Sequence, residues 1–229
     1  MKNLRELTMA RVALGRTGNS LPLRPMLEFQ LAHARARDAV HYPFRANIIP
    51  GAIIVQSAAK DRNEYLRRPD LGRKLAPDIV LTRAGYDAVF VMCDGLSPLA
   101  VERHGPALLN AVMSKLGGWN LAPVIVCERD RVAIADEIGE RLGAALSVVL
   151  IGERPGLSSP DSLGVYQTWS PRIGRTDADR NCISNIRPEG LAIGPAAELL
   201  ALLMTQARSR QLSGIHLKPP LYLSTGPCS

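Results

Sequence analysis

VVLIGERPG, residues Val148–Gly156, is an apolar and mostly β-branched run that ends abruptly in glycine, a charged pair and Pro-Gly. A run of that length closed by glycine and proline predicts a buried strand of a parallel sheet, extending over 146–151. Glu153 and Arg154 then stand just past its carboxyl end, where open α/β sheets bind their ligands. Pro155 biases Arg154 toward an extended backbone, and Gly156 can take the positive φ of a tight turn. Two readings follow for the charged pair: a pair aimed at a crevice, or a solvated ion pair at an ordinary strand exit.

Outward from this strand the alternation is regular. Residues 88–93 (AVFVMC) and 123–127 (PVIVC) form two further strands, and 51–55 (GAIIV) a short one. Between them, Ser97-Pro98 starts a helix that runs toward Leu116, with an irregularity expected at Gly105-Pro106. Asp130 is read as the cap of the next helix. Ile134, Ile138 and Leu142 make its apolar stripe, and Gly143 stops it. Residues 61–74 form a polar helical stretch interrupted by Pro69, and 195–208 an almost wholly apolar helix. The first 45 residues read as helical, with Pro25 in a first turn and Leu27, Leu31 and Ala34 at helical spacing. The fold class expected is α/β: a doubly wound, mostly parallel sheet flanked by helices (Rossmann-like), with a helical N-terminal lobe.

Composition bounds the function. At 229 residues with 46% hydrophobic and 21% charged, the chain can bury a full core. No apolar stretch approaches the ~18 residues of a membrane span, and the charged N-terminus MKNLRELTMARVALGR lacks the apolar run of a signal peptide. An intracellular protein without membrane contact is expected. Up to Leu75, 14 Lys and Arg face 6 Asp and Glu, an excess of eight; the remainder carries 14 against 15. That basic third has few aromatics and no nucleic-acid motif, so a protein partner is favoured over nucleic acid. Cys93, Cys127, Cys182 and Cys228 are widely spaced and His33, His41, His104 and His216 show no ligand spacing; neither disulfides nor metal is expected.

Asp94, Val132 and Glu153 each follow one of three consecutive strands and would share one rim. A helix starting near Val132 would present free backbone N–H groups there, a seat suited to phosphate. No GxGxxG follows a strand and no GxxxxGK[ST] occurs, so a generic dinucleotide or ATP site is disfavoured. Asp94 reads either as a helix cap or as a catalytic carboxylate. The segment 170–187 packs Arg172, Arg175, Arg180 and Arg187 around Cys182, suited to a fixed hydrogen-bond network or an amide-rich ligand. Cys182 has no local histidine to make a thiolate, so packing or a ligand contact is the better reading.

ARVALGRTG (10–18), YLRRPDLGRKL (65–75), CDGLS (93–97), RVAIADEIGERLGA (131–144), VVLIGERPGL (148–157) and SPRIGRTDADRNCISNI (170–186) occur in this order. Together they resemble the small (light) subunit of ethanolamine ammonia-lyase over roughly residues 3–217. GERPG and DRNCISNI are the specific pieces. The resemblance implies a subunit without catalytic residues of its own, assembled with a large subunit in a hetero-oligomer that converts ethanolamine to acetaldehyde and ammonia. It implies adenosylcobalamin as cofactor, contacted by Val132, Glu153 and Cys182. Binding would be base-on with no protein ligand to cobalt, because the DxHxxG string of base-off proteins is absent. Three regions follow: a helical lobe over 1–45 contacting the partner, an α/β cobalamin-contacting domain over 46–218, and a flexible tail over 219–229. The implied location is the cytoplasm or a bacterial microcompartment. Microcompartment members often carry a longer N-terminal extension, and here the family-like sequence begins almost at Met1, which counts against encapsulation. The alternative function is a self-sufficient α/β nucleotide-binding enzyme or module.

Overall fold

The computed structural model describes residue 8 and residues 10–218. The tail expected over 219–229, the start of the helical lobe and Cys228 lie outside the described residues. Six strands form one sheet: β1 (Ile53–Gln56), β2 (Tyr86–Cys93), β3 (Ile125–Glu128), β4 (Ala144–Gly152), β5 (Leu163–Trp169) and β6 (Arg180–Ile186). Their order is β1-β3-β2-β4-β5-β6. The first four are parallel, whereas β5 runs antiparallel to β4 and β6 antiparallel to β5. The sheet is therefore mixed: four parallel strands, as in the mostly parallel sheet expected, are extended by two antiparallel ones. The long connection after Val148–Gly156 is a pair of strands. Neither carries a continuous apolar run: Gln167 and Thr168 are buried polar residues of β5, and β6 reads RNCISNI. One face of each strand is polar, so the sequence resembles a loop.

Among the described residues five helices pack around the sheet: α1 (Leu23–Val40), α2 (Arg62–Arg67), α3 (Pro98–Met113), α4 (Ile134–Leu142) and α5 (Ile193–Arg210). Ser97 caps α3, its hydroxyl accepting from the Ala100 N–H at 3.4 Å. The irregularity expected at Gly105-Pro106 does not break this helix. Gly143 ends α4 in the left-handed region at φ 70°. Helix α1 is shorter than the all-helical reading of the first 45 residues: residues 10–22 are extended and turned, with a bridge between Thr17 and Ser20. Ala39 is its one buried residue, and Leu23, Met26, Leu27, Phe29 and Leu31 are exposed.

The two faces are covered unequally. Helices α3 and α5 together cover one face, closing a core around Phe90, Met92, Val148, Leu150 and Val165. The other face is covered by α4, nine residues and so about 13 Å long, packed mainly on β2 and β4 over Val89, Val91, Ile125 and Val149. A strip of β5 and β6 on that face stays open beside α4.

Arg180 at the start of β6 reaches across to α4 and clamps Asp136 bidentately at 2.8 and 2.6 Å, with both side chains almost fully buried. Thr168 accepts a further bond from the same guanidinium at 2.9 Å. Burial raises the Asp136 carboxyl while Arg180 pulls it back down. Removing one partner of such a pair strands the other charge. Arg180→Met should lower stability in urea denaturation by about 3 kcal/mol at neutral pH. The double substitution Arg180→Met with Asp136→Leu should recover most of that loss. An unchanged midpoint for the single variant would show that the pair does not hold β6 to α4.

Candidate functional site

The carboxyl ends of the parallel strands meet at one rim, as Cys93 pairs in register with both Cys127 and Ile151. Two glycines let the β2 and β4 exits touch. A Cβ on Gly152 would run into the Ser97 carbonyl, and one on Gly95 into the Gly152 carbonyl. In their place the Leu96 N–H donates to the Gly152 oxygen at 2.9 Å. The CDGLS and GERPG motifs are thus two halves of one backbone junction.

That junction aims Glu153. Its Oε2 accepts from the Ser162 hydroxyl and from the Asn185 N–H at 3.1 Å, whereas among the described residues no donor reaches Oε1. Gly164 stands against it, where a Cβ would meet Oε1 at 2.9 Å. Among the described residues no ion pair joins Glu153 to Arg154; the carboxylate is half-buried and Arg154 is exposed. Of the two readings of the charged pair, the inward-aimed carboxylate is the one that forms.

Val132 lies on the turn leading into α4. The N–H groups of Ile134, Ala135 and Asp136 bond back to Arg131, Val132 and Ala133 carbonyls, so the first helical donors are used. The free donors are one step earlier, at Val132 and Ala133. Asp130 does not cap this helix, contrary to expectation. It is fully buried, its Oδ1 accepting from the Gly95 N–H at 3.3 Å. Burial and the neighbouring Asp94 push its carboxyl well above the usual range. Its side chain is turned to the Gly95 N–H, away from the helix end.

Asp94 does not cap α3, a place that Ser97 takes. It ties the rim together: Oδ1 accepts from the Arg129 and Asp130 N–H groups at 2.8 and 3.3 Å, and Oδ2 pairs with Arg62 at 3.0 Å.

A cavity of about 410 Å³ opens between Val132 and Glu153, walled by Tyr65, Arg131, Arg154 and Tyr166. A second, of about 810 Å³, lies beyond Val132 and shares Arg131, Val132 and Tyr166 with the first. Cys182 does not line either cavity. It pairs in register with Tyr166 on the open strip of sheet, its thiol against the tyrosine hydroxyl. The residue is exposed, but the crowding around its sulfur raises the thiol above its usual range. A thiol held protonated in this way is a compact polar contact and a poor nucleophile. Val132 and Glu153 therefore face one space, and Cys182 stands behind Tyr166 at its edge. Tyr65, Arg131 and Tyr166 were not singled out by sequence. Tyr166 belongs to β5, which has no continuous apolar run to mark it, and the Tyr65 ring is held between Arg62 and Arg131 by contacts that no local pattern announces.

The donor set at these cavities suits a large ligand rich in amide N–H groups and carbonyls: a carboxylate oxygen without a donor, two free backbone N–H groups and a thiol–phenol pair. The cavities mark this rim as the candidate ligand-binding face of the α/β chain. Comparison with known proteins gives the family. Residues 1–218 match the family model described as ethanolamine ammonia-lyase light chain (EutC). A protein of Pseudomonas paraeruginosa named ethanolamine ammonia-lyase small subunit is 56% identical over 233 residues, covering 94% of this chain and 85% of that protein. Relatives of the same name in Azotobacter vinelandii and Ralstonia nicotianae are 53% and 54% identical, covering 95% and 94% of this chain and 87% and 86% of theirs. The chain belongs to the ethanolamine ammonia-lyase light-chain family, and is a small subunit of a lyase complex. No described helix is long and apolar enough to cross a membrane.

Burial raises the Asp94 carboxyl from 3.8 to about 6, against the pull of Arg62. Its folded form holds the proton more tightly than the unfolded chain. The stability this contributes is fully present below about pH 3.8 and is lost as pH rises through about 6. Asp94→Asn should flatten the stability–pH curve across that window in urea melts, whereas an unaltered slope would show that another group sets it.

Proposed function

We propose that this chain helps to bind adenosylcobalamin at the interface with a large subunit, in an enzyme that converts ethanolamine to acetaldehyde and ammonia. The observation that carries this is the convergence of Val132 and Glu153 on one cavity, with Cys182 at its edge. The residues fit such a group. Glu153 Oε1 is an acceptor for the amide N–H groups that ring a corrin or for a ribose hydroxyl, and the Val132 N–H is a donor for an amide carbonyl. The glycines at 152 and 164 keep the approach to Glu153 clear. Binding is base-on, supported by the absence of DxHxxG from the sequence. When bound, the cofactor supplies a carbon-centred radical by homolysis of its cobalt–carbon bond.

This chain's own work is positioning. Ser162 and the Asn185 N–H fix the Glu153 carboxylate on one oxygen and leave the other directed outward. Tyr166 presents a weakly polar wall to the cavity, with the Cys182 thiol against its hydroxyl. The substrate site and the remaining cofactor contacts belong to the large subunit. The region over 1–45 is the partner-contacting lobe, supported by the exposed apolar side chains Leu23, Leu27, Phe29 and Leu31 of α1. Such a row on one short segment is what a protein partner covers. The cytoplasm is the location that suits this assembly.

The test is reconstitution. The chain, its large subunit and adenosylcobalamin together should produce acetaldehyde from ethanolamine, and omission of any one should abolish it; full activity without this chain would contradict the reading. In the assembled enzyme, Glu153→Gln and Cys182→Ala should each weaken cofactor binding, about tenfold to a hundredfold for the carboxylate and less for the thiol, in absorbance titrations. Unchanged affinity in both variants would remove these residues from the site.

A further inference from the structure

The larger cavity carries cations that the contacts of Val132, Glu153 and Cys182 do not use. Its three carboxylates are spoken for: Asp136 is clamped by Arg180, Asp177 lies 3.6 Å from the Arg180 Nε, and Glu137 accepts from Arg141 at 2.6 Å and from the Leu75 N–H at 2.9 Å. Arg175 is paired with Asp179 at 3.2 Å. Arg73, Lys74 and Arg131 line the same cavity, and among the described residues none of the three forms an ion pair.

The arrangement is built rather than incidental. The Arg131 guanidinium lies 4.5 Å from the centre of the fully buried Tyr65 ring, and its Nε is buried without a hydrogen-bond partner. The Arg131 N–H donates to the Gly72 carbonyl at 2.7 Å, which joins the turn Leu71–Arg73 to the approach to α4. Gly72 itself packs against Tyr65, where a Cβ would meet the ring at 3.0 Å. This close approach sets Arg73 and Lys74 at the mouth beside Arg131. The unpartnered N–H groups of Val132 and Ala133 face the same wall. Guanidinium, ammonium and free backbone N–H groups together are the donor set of a phosphate seat.

We propose that this cavity seats a phosphate group through Arg131, with Arg73 and Lys74 at its mouth. Resting on the cofactor reading above, the first source is the phosphodiester linking the nucleotide base to the corrin; the second is free inorganic phosphate. Arg131 holds the anion by a directed bond, and the two mouth residues add charge.

The test uses the complete enzyme with its large subunit, as wild type, Arg131→Gln and the exposed double variant Arg73→Gln with Lys74→Gln. Native mass of each assembly confirms folding. Binding of adenosylcobalamin is compared with that of adenosylcobinamide, which lacks the nucleotide and its phosphodiester, and inorganic phosphate is followed by phosphorus-31 line broadening. Arg131→Gln should weaken adenosylcobalamin binding about tenfold to a hundredfold, the double variant less, with adenosylcobinamide unaffected. If corrinoid affinities are unchanged but phosphate broadening is lost in Arg131→Gln, free phosphate is the occupant and the seat stands. Equal losses for both corrinoids, or no loss in either arm, would overturn it. A wild-type enzyme that binds no corrinoid would sink the cofactor reading alone, since the phosphate arm still decides the seat.

Discussion

The bidentate contact between Arg180 and Asp136 is the interaction on which the geometry of this chain depends. Among the described residues it is the one place where the antiparallel half of the sheet is tied by buried charge to α4, the helix on its thinly covered face. A guanidinium out of water is tolerable only with its partner fixed, so the start of β6 and the first turn of α4 hold a set separation. With α4 held over β2 and β4, the strip of β5 and β6 carrying Tyr166 and Cys182 is left open. Hydrophobic burial closes the opposite face under α3 and α5, where two long helices leave no such gap.

The rim works by a complementary constraint, close backbone approach. Gly95 and Gly152 bring two strand exits into contact, and Asp94 fastens the third through the N–H groups of Arg129 and Asp130. Two carboxyls share one buried place there: burial and the neighbouring Asp94 push the Asp130 carboxyl well above the usual range, and Arg62 meets Asp94 at 3.0 Å.

Much of the parallel half could be read from sequence, because buried strands and capped helices leave strong local marks. Val148–Ile151 lies in a strand, Ser97 caps a helix and Gly143 ends one. What escaped has physical reasons. Strands β5 and β6 present one polar face, so residues 163–169 and 180–186 lack the apolar run that betrays a central strand. Asp130 has the residue type and position of a cap, yet tertiary burial beside Asp94 overrides that local preference. The apolar spacing of α1 was legible, but much of its face lies exposed.

The site was legible in its named residues more than in its construction. Val132 and Glu153 do meet at one cavity, whereas Cys182 stands off behind Tyr166. The stack of Arg131 on Tyr65 joins residues far apart in sequence and depends on the absence of a side chain at Gly72; neither leaves a pattern along the chain. The most direct measurement is hydrogen–deuterium exchange of the assembled enzyme with and without adenosylcobalamin. Protection gathered at residues 131–134, 152–154 and 181–184 is the expected result. Protection confined to the face under α3 and α5, with those three segments exchanging as before, would contradict it.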